Sequence, residues 1–88
     1  DNTPAFVVVG AAGGIGSAVC RRLAKSGARI LLVGRSAEKL EALAAELRPL
    51  DPSGTYTPHV ADATRSADID AAFATAVDLF GSVHGAAC

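Results

Sequence analysis

Gly10, Gly13, Gly14 and Gly16 fall within seven consecutive positions, directly behind the apolar run AFVVV at 5–9. Counted from Gly10 through Gly14 to Gly16, the spacing is G-x-x-x-G-x-G. It differs from the G-x-G-x-x-G fingerprint, whose last glycine would fall at Val19. Such a cluster suits a turn whose backbone something must approach closely. A helix starting near Gly14 leaves its first backbone N–H groups unpaired, and its dipole adds partial positive charge there. A pyrophosphate satisfies both, provided that no Cβ holds it away. Gly10 then permits the turn, Gly14 the close approach, and Gly16 the tight packing of helix on strand. The plain alternative is a tight strand-to-helix turn that binds nothing. Agreement among the flanking elements favours the binding turn.

Those elements follow from hydrophobic pattern. Residues 5–9 are a continuous β-rich run, as in a strand buried on both faces. After the glycines, Ile15, Val19 and Leu23 recur at helical spacing with Ala18 beside them, and Gly27 ends the helix. RILLV at 29–33 reads as a second buried strand. Ser36 is a good N-cap, with Glu38 in the first turn. Leu40, Leu43, Ala44 and Leu47 form an i, i+3, i+4, i+7 stripe. Pro49 and the DPSG of 51–54 end that helix in a turn. YTPHV at 56–60 is a weaker third strand, its Pro58 suited to a sheet edge. A third helix is expected over about 66–80, with Ile69, Ala72, Phe73, Ala76 and Phe80 on one side and Gly81 closing it. A fourth strand begins within 83–88. Strands alternating with helices of these lengths imply an α/β fold with a parallel sheet and right-handed crossovers. Ligands of such sheets sit beyond the C-terminal strand ends, where the glycine cluster lies.

Composition narrows the function. Eighty-eight residues make at most one small domain, and 50% hydrophobic with 19% charged residues describes a globular chain. A formal charge of −1, its eight basic residues spread among nine acids, argues against nucleic acid or an anionic membrane as partner. The stretch 2–20 carries no charge, yet Pro4 and four glycines interrupt it and no basic segment precedes it, which argues against a membrane span or signal. Cys20 and Cys88, far apart and without C-x-x-C spacing, suggest neither a zinc site nor a disulfide framework; a reducing cytoplasm is expected, with no metal. His59 and His84 stand without nearby partners and read as strand or turn residues. A chain that opens on Asp1 and holds no methionine is expected to be processed, excised or only partly represented.

The stretch VVVGAAGGIGSAVCRRLAKSGARILLVGRSAEKLEAL resembles the start of the short-chain dehydrogenase/reductase family, whose loop is Thr-Gly-x-x-x-Gly-x-Gly. The likeness continues through VADAT and FGSVHGAAC, so it covers essentially all 88 residues. It implies a Rossmann-type doubly wound sheet in strand order 3-2-1-4, here incomplete. It also implies a nicotinamide dinucleotide and hydride transfer to or from a carbonyl or alcohol substrate, in a homo-oligomer. By that resemblance Gly10, Ala12, Gly13, Gly14, Ile15 and Gly16 line the pyrophosphate and ribose. Asp62 faces the adenine amino group, and Ala63 offers a backbone contact; on its own pattern, Asp62 reads equally as a cap in the DAT turn. Val9 stands where the family usually has threonine, and Ala12 and Gly13 replace common polar or basic residues. Neither change removes the backbone donors.

In dinucleotide-binding folds an acid at the end of the second strand accepts hydrogen bonds from the adenosine ribose hydroxyls. Here that position is Gly34, followed by Arg35. A carboxylate would repel a 2′-phosphate, whereas glycine leaves room and Arg35 supplies a planar, always-charged fork. Ser36 adds its hydroxyl or backbone N–H. NADP is therefore expected in preference to NAD.

The family's chemistry needs a tyrosine with a lysine four residues later, and serine and asparagine beside them. The only tyrosine is Tyr56, and Val60 stands four residues on. Cys88 falls where the family's Asn-Asn-Ala-Gly motif begins. No catalytic residue is therefore assigned. Residues 1–88 read as the N-terminal, dinucleotide-binding part of an NADP-dependent oxidoreductase, the alternative being a non-catalytic NAD(P)-binding sensor or scaffold. The third helix, alone on its side, is expected to cover only part of the sheet, leaving strands as apolar as FVVV and ILLV half bare and the fourth strand an open edge, so that residues 1–88 are not expected to be stable alone.

Overall fold

A computed structural model describes residues 4–51, 54–81, 83 and 85–87. The elements alternate: β1 (Ala5–Val9), α1 (Gly14–Ala24), β2 (Arg29–Gly34), α2 (Ala37–Leu47), β3 (Thr55–Val60), α3 (Ser66–Phe80) and β4 (Gly85–Ala87). The strands form one parallel sheet in the order β3-β2-β1-β4. Val8 lies opposite Leu32, and Ile30 opposite Tyr56. Each strand is joined to the next through a helix, as parallel pairing demands. His84 and Cys88 lie outside the described residues.

Because successive side chains alternate across a strand, β1 and β2 feed two cores. Val8, Ile30 and Leu32 point to one face, where Cys20 and Ala24 of α1 and Leu40, Leu43 and Leu47 of α2 cover them. Val7, Val9, Leu31 and Val33 point to the other, beneath Ala72, Ala76 and Phe80 of α3. The sheet is thus wound on both sides. The leucine stripe of α2 is buried as its spacing requires, and Ser36 caps that helix, its Oγ accepting from the Lys39 amide at 3.3 Å.

Two expectations from pattern are corrected. Ile15 and Ala18 do not face the sheet: both are exposed, Ile15 at 80%. The inward face of α1 is Gly16, Cys20 and Ala24, with Val19 and Leu23 half-buried at its margin. Small side chains bring the helix axis close to the sheet, so the contact lies one position further along than the larger residues suggest. Nor are the central strands half bare. Ala5, Val7, Leu31 and Val33 are fully buried, because α3 lies close on its own alanines while Ile69 and Phe73 close its margin.

At the end of the sheet away from the glycines, Arg29 fastens α3. Its Nη1 donates to the Phe80 carbonyl at 2.9 Å, and its guanidinium lies 5.5 Å from the centre of the Phe80 ring. Gly81, at φ +83°, ends the helix there. On the opposite face, Arg21 of α1 pairs with Glu46 of α2, and the pairing holds the Glu46 carboxyl below its usual range. No helix among the described residues is long and apolar enough to cross a membrane.

Candidate functional site

The chain leaves β1 through a turn tied to its neighbour. The Gly10 and Ala11 amides both donate to the Val33 carbonyl, at 2.8 and 3.0 Å. These backbone bonds brace the turn even though Val9 carries no hydroxyl. Gly10 has φ +74°, a conformation costly for a residue with a Cβ. The Gly13 amide donates back to the Gly10 carbonyl at 3.0 Å. A Cβ on Gly16 would collide with that same carbonyl, so α1 can begin this close only with glycine there. Gly14 differs: a Cβ on it would meet nothing within 4 Å.

The first helical bond of α1 runs from the Ser17 amide to the Gly13 carbonyl at 2.8 Å. The amides of Gly14, Ile15 and Gly16 precede it. No side chain caps this helix and its first turn holds no acid, whereas α2 has both Ser36 and Glu38. A helix start left in this way is suited to an anion.

The turn faces the β2–α2 junction across an open cleft of about 290 Å³. Gly10, Ala12 and Gly13 form one wall and Gly34, Arg35 and Ser36 the other, with Ala61 and Ala63 at the end beyond β3. Arg35 also borders a second hollow of about 260 Å³, shared with Val60, Ala61, Asp62 and Asp68. Most of the residues singled out from the sequence thus converge on two adjoining hollows. Gly14 and Ile15 stand exposed at the head of α1, and Gly16 is buried beneath the turn; none of the three lines the cleft.

Asp62 is held by its own loop. Its Oδ1 accepts from the Thr64 hydroxyl at 2.7 Å and the Thr64 amide at 2.9 Å, while its amide donates to Asp68 Oδ2 at 2.8 Å. The Thr64 hydroxyl and then its amide hold the Asp62 carboxyl below its ordinary value, helped by the charges of Arg35 and Arg65. Asp62 is therefore an ionised acceptor, fixed beside Arg35.

Lys39 also lines the cleft, and residue type alone did not single it out. Its spacing carried the clue, since it is the third residue after the Ser36 cap and so within one helical turn of it. Thr64 and Asp68 likewise escape a reading by strand and helix pattern, because they act by fixing a loop.

Other reactive types stand elsewhere. Tyr56, near the start of β3, donates its hydroxyl to the Asp51 carbonyl at 2.9 Å, and burial, then the Asp51 carboxylate, pushes its phenol up. Cys20 is buried under α1, where burial pushes its thiol up to about 11 against a smaller opposing effect of Arg21. Among the described residues no group of three or more His, Cys, Asp and Glu could hold a metal ion.

A parallel sheet wound on both faces, with a glycine turn at the end of its first strand, defines an α/β protein of the Rossmann type. The chain belongs to the short chain dehydrogenase family, whose model it matches over residues 4–86. It is 36% identical over 83 residues to chanoclavine-I dehydrogenase of Arthroderma benhamiae, covering 93% of this chain and 34% of that protein. An alcohol dehydrogenase of the archaeon Thermococcus sibiricus, solved with 5-hydroxy-NADP, superposes with a TM-score of 0.87 at 28% identity, over 97% of this chain and 36% of that one. A short-chain dehydrogenase of Sphingobium yanoikuyae, solved with NADPH, has a TM-score of 0.71 at 36% identity, over 82% and 28% of the two chains. The chain spans about a third of the length of the curated relatives it matches.

Proposed function

We propose that the cleft holds a nicotinamide dinucleotide, NADP in preference to NAD. Residues 1–88 are then the cofactor-binding part of an NADP-dependent oxidoreductase. The carrying observation is Gly34 at the end of β2, with Arg35 lining the cleft beside it. An NAD site wants a carboxylate there; this one has no side chain and then a cation. The 2′-phosphate falls to Arg35 and Ser36. The diphosphate falls to the backbone of Gly10, Ala12 and Gly13 and to the amides that open α1 at Gly14, Ile15 and Gly16. Asp62 and Ala63 receive the adenine. The open space over Gly14 fits a group that needs close backbone approach.

The bound nicotinamide supplies hydride exchange with a small carbonyl or alcohol substrate. The Thermococcus and Sphingobium neighbours, solved with NADP-type dinucleotides, support this reading. A homo-oligomer in a reducing cytoplasm belongs to it as well, in keeping with a cysteine buried as a free thiol.

Dinucleotide titrations test it. Arg35→Ala should weaken NADPH about tenfold and NADH little, since a charge-assisted hydrogen bond at an exposed side chain is worth less than the buried range. Gly34→Asp should shift the balance toward NADH. Its new Cβ meets Leu40 Cδ2 at 3.1 Å, a flexible end that can yield by a few tenths of an ångström, so the variant should fold with a small loss of stability. An unchanged NADPH-to-NADH ratio in both variants would show the assignment to be wrong.

A further inference from the structure

Asp68 is the third residue of α3, the position from which the acid of a capping box reaches back to the amide of the N-cap residue. Here that amide is already taken. The Arg65 amide donates to the Asp62 carbonyl at 3.0 Å, and Asp68 reaches three residues further, its Oδ2 accepting from the Asp62 amide at 2.8 Å. The helix thus spends its first-turn acid on a residue of the preceding loop and not on its own cap.

That loop has left the sheet. The Ala61 amide donates to the Gly34 carbonyl at 2.8 Å, and past that tie the chain runs clear of β2. Thr64, which holds Asp62 Oδ1, lies in the same turn and moves with it. Asp68 instead ties the turn to a helix seated on the sheet. Among the described residues no hydrogen bond reaches Asp62 Oδ2, and both acids border the hollow beyond β3.

We propose that Asp68 is a positioning residue for recognition of the base: by holding the Asp62 amide it aims the Asp62 carboxylate at the 6-amino group of adenine, and so sets a preference for adenine over a 6-oxopurine. The proposal deepens the cofactor reading above and rests on it. A carboxylate accepts from an amino N–H, whereas the 6-oxygen of hypoxanthine offers only lone pairs and is repelled. A turn that tilts loses this contrast while the diphosphate, held at the glycine turn, keeps its contacts.

The test measures dissociation constants of NADPH and of reduced nicotinamide hypoxanthine dinucleotide phosphate, with thermal unfolding, for the unsubstituted protein, Asp62→Ala, Asp68→Ala, Asp68→Asn and the Asp62→Ala/Asp68→Ala double variant. The unsubstituted protein should prefer NADPH, and Asp62→Ala should erase most of that preference. Asp68→Ala should lower it roughly three- to tenfold by weakening NADPH alone. Asp68→Asn retains an acceptor oxygen, and its preference should stay within about twofold of the original. The double variant should lose no more than Asp62→Ala, because Asp68 acts through Asp62. An undiminished preference in Asp68→Ala refutes the proposal. So does an equal loss in Asp68→Asn, where charge and not the acceptor would matter, or a further loss in the double variant. An Asp68→Ala protein that no longer folds, or that weakens both ligands alike, makes the residue structural and refutes it as well. If the unsubstituted protein binds NADPH without preferring adenine, Asp62 does not read the base, and this proposal fails while the cofactor reading stands. If it binds neither dinucleotide, both fail.

Discussion

Gly14 and Gly16 are two residues apart in one motif, yet the space around them differs completely. A side chain on Gly14 enters open space above the turn, whereas one on Gly16 strikes the Gly10 carbonyl. Gly14→Val should therefore leave a folded protein whose valine occupies the approach to the α1 amides, and dinucleotide binding should fall below detection. Gly16→Ala should instead displace the turn from α1, with a stability loss of about 1–3 kcal/mol as in other overpacked sites. Thermal unfolding and a cofactor titration on both variants check the pair; full affinity in a folded Gly14→Val protein would rule out a phosphate turn. Glycine spacing made both residues legible in the sequence. The placement of Lys39, Ala61 and Thr64 was not, because it arises where three strand ends meet, and periodicity within one element carries no record of that convergence.

Elements differ in how plainly they announce their buried face. Leu40, Leu43 and Leu47 mark the inward stripe of α2, with Ala44 among them, because each leucine loses a large apolar area on burial. The inward face of α1 is Gly16, Cys20 and Ala24, and such residues give hydrophobic periodicity little to register. Ile15 outweighs them in the pattern and yet stands exposed. In α3 both kinds occur, with Ala72 and Ala76 beside Phe80, and there the pattern located the face but understated how closely the helix lies on the sheet. That closeness is testable. Ala76 is fully buried against the sheet, so Ala76→Leu should cost about 1–3 kcal/mol in a denaturant titration. Ala74, exposed on the outer side of the same helix, is the control, and Ala74→Leu should change stability by no more than about 0.5 kcal/mol. Equal effects at the two positions would mean that α3 does not lie on its alanines.

At the scale of the whole molecule, binding and proton transfer call on different places. The cleft lies beyond the C-terminal ends of β1, β2 and β3. Tyr56, the only tyrosine, is the second residue of β3 and so lies toward the opposite end of that strand. Its hydroxyl is committed to the Asp51 carbonyl, its phenol is pushed up by burial, and the fourth residue on is Val60 rather than a lysine. Among the described residues no neighbour lowers the phenol's pKa, and Tyr56 does not line the cleft. Helices cover both faces of the two central strands, so the bare apolar face that argued against a stable unit is absent, and a polypeptide of this sequence is expected to hold its cleft together. It is expected to bind NADPH and to leave it unoxidised in the presence of aldehydes or ketones. Tyr56→Phe should keep the dinucleotide affinity while costing about 1 kcal/mol, the worth of one hydrogen bond that ties β3 to the turn before it. Nicotinamide absorbance followed with a panel of carbonyl compounds, beside a titration of the same sample, measures both halves. Steady turnover that Tyr56→Phe abolishes would make this tyrosine the proton donor and overturn the separation of binding from chemistry.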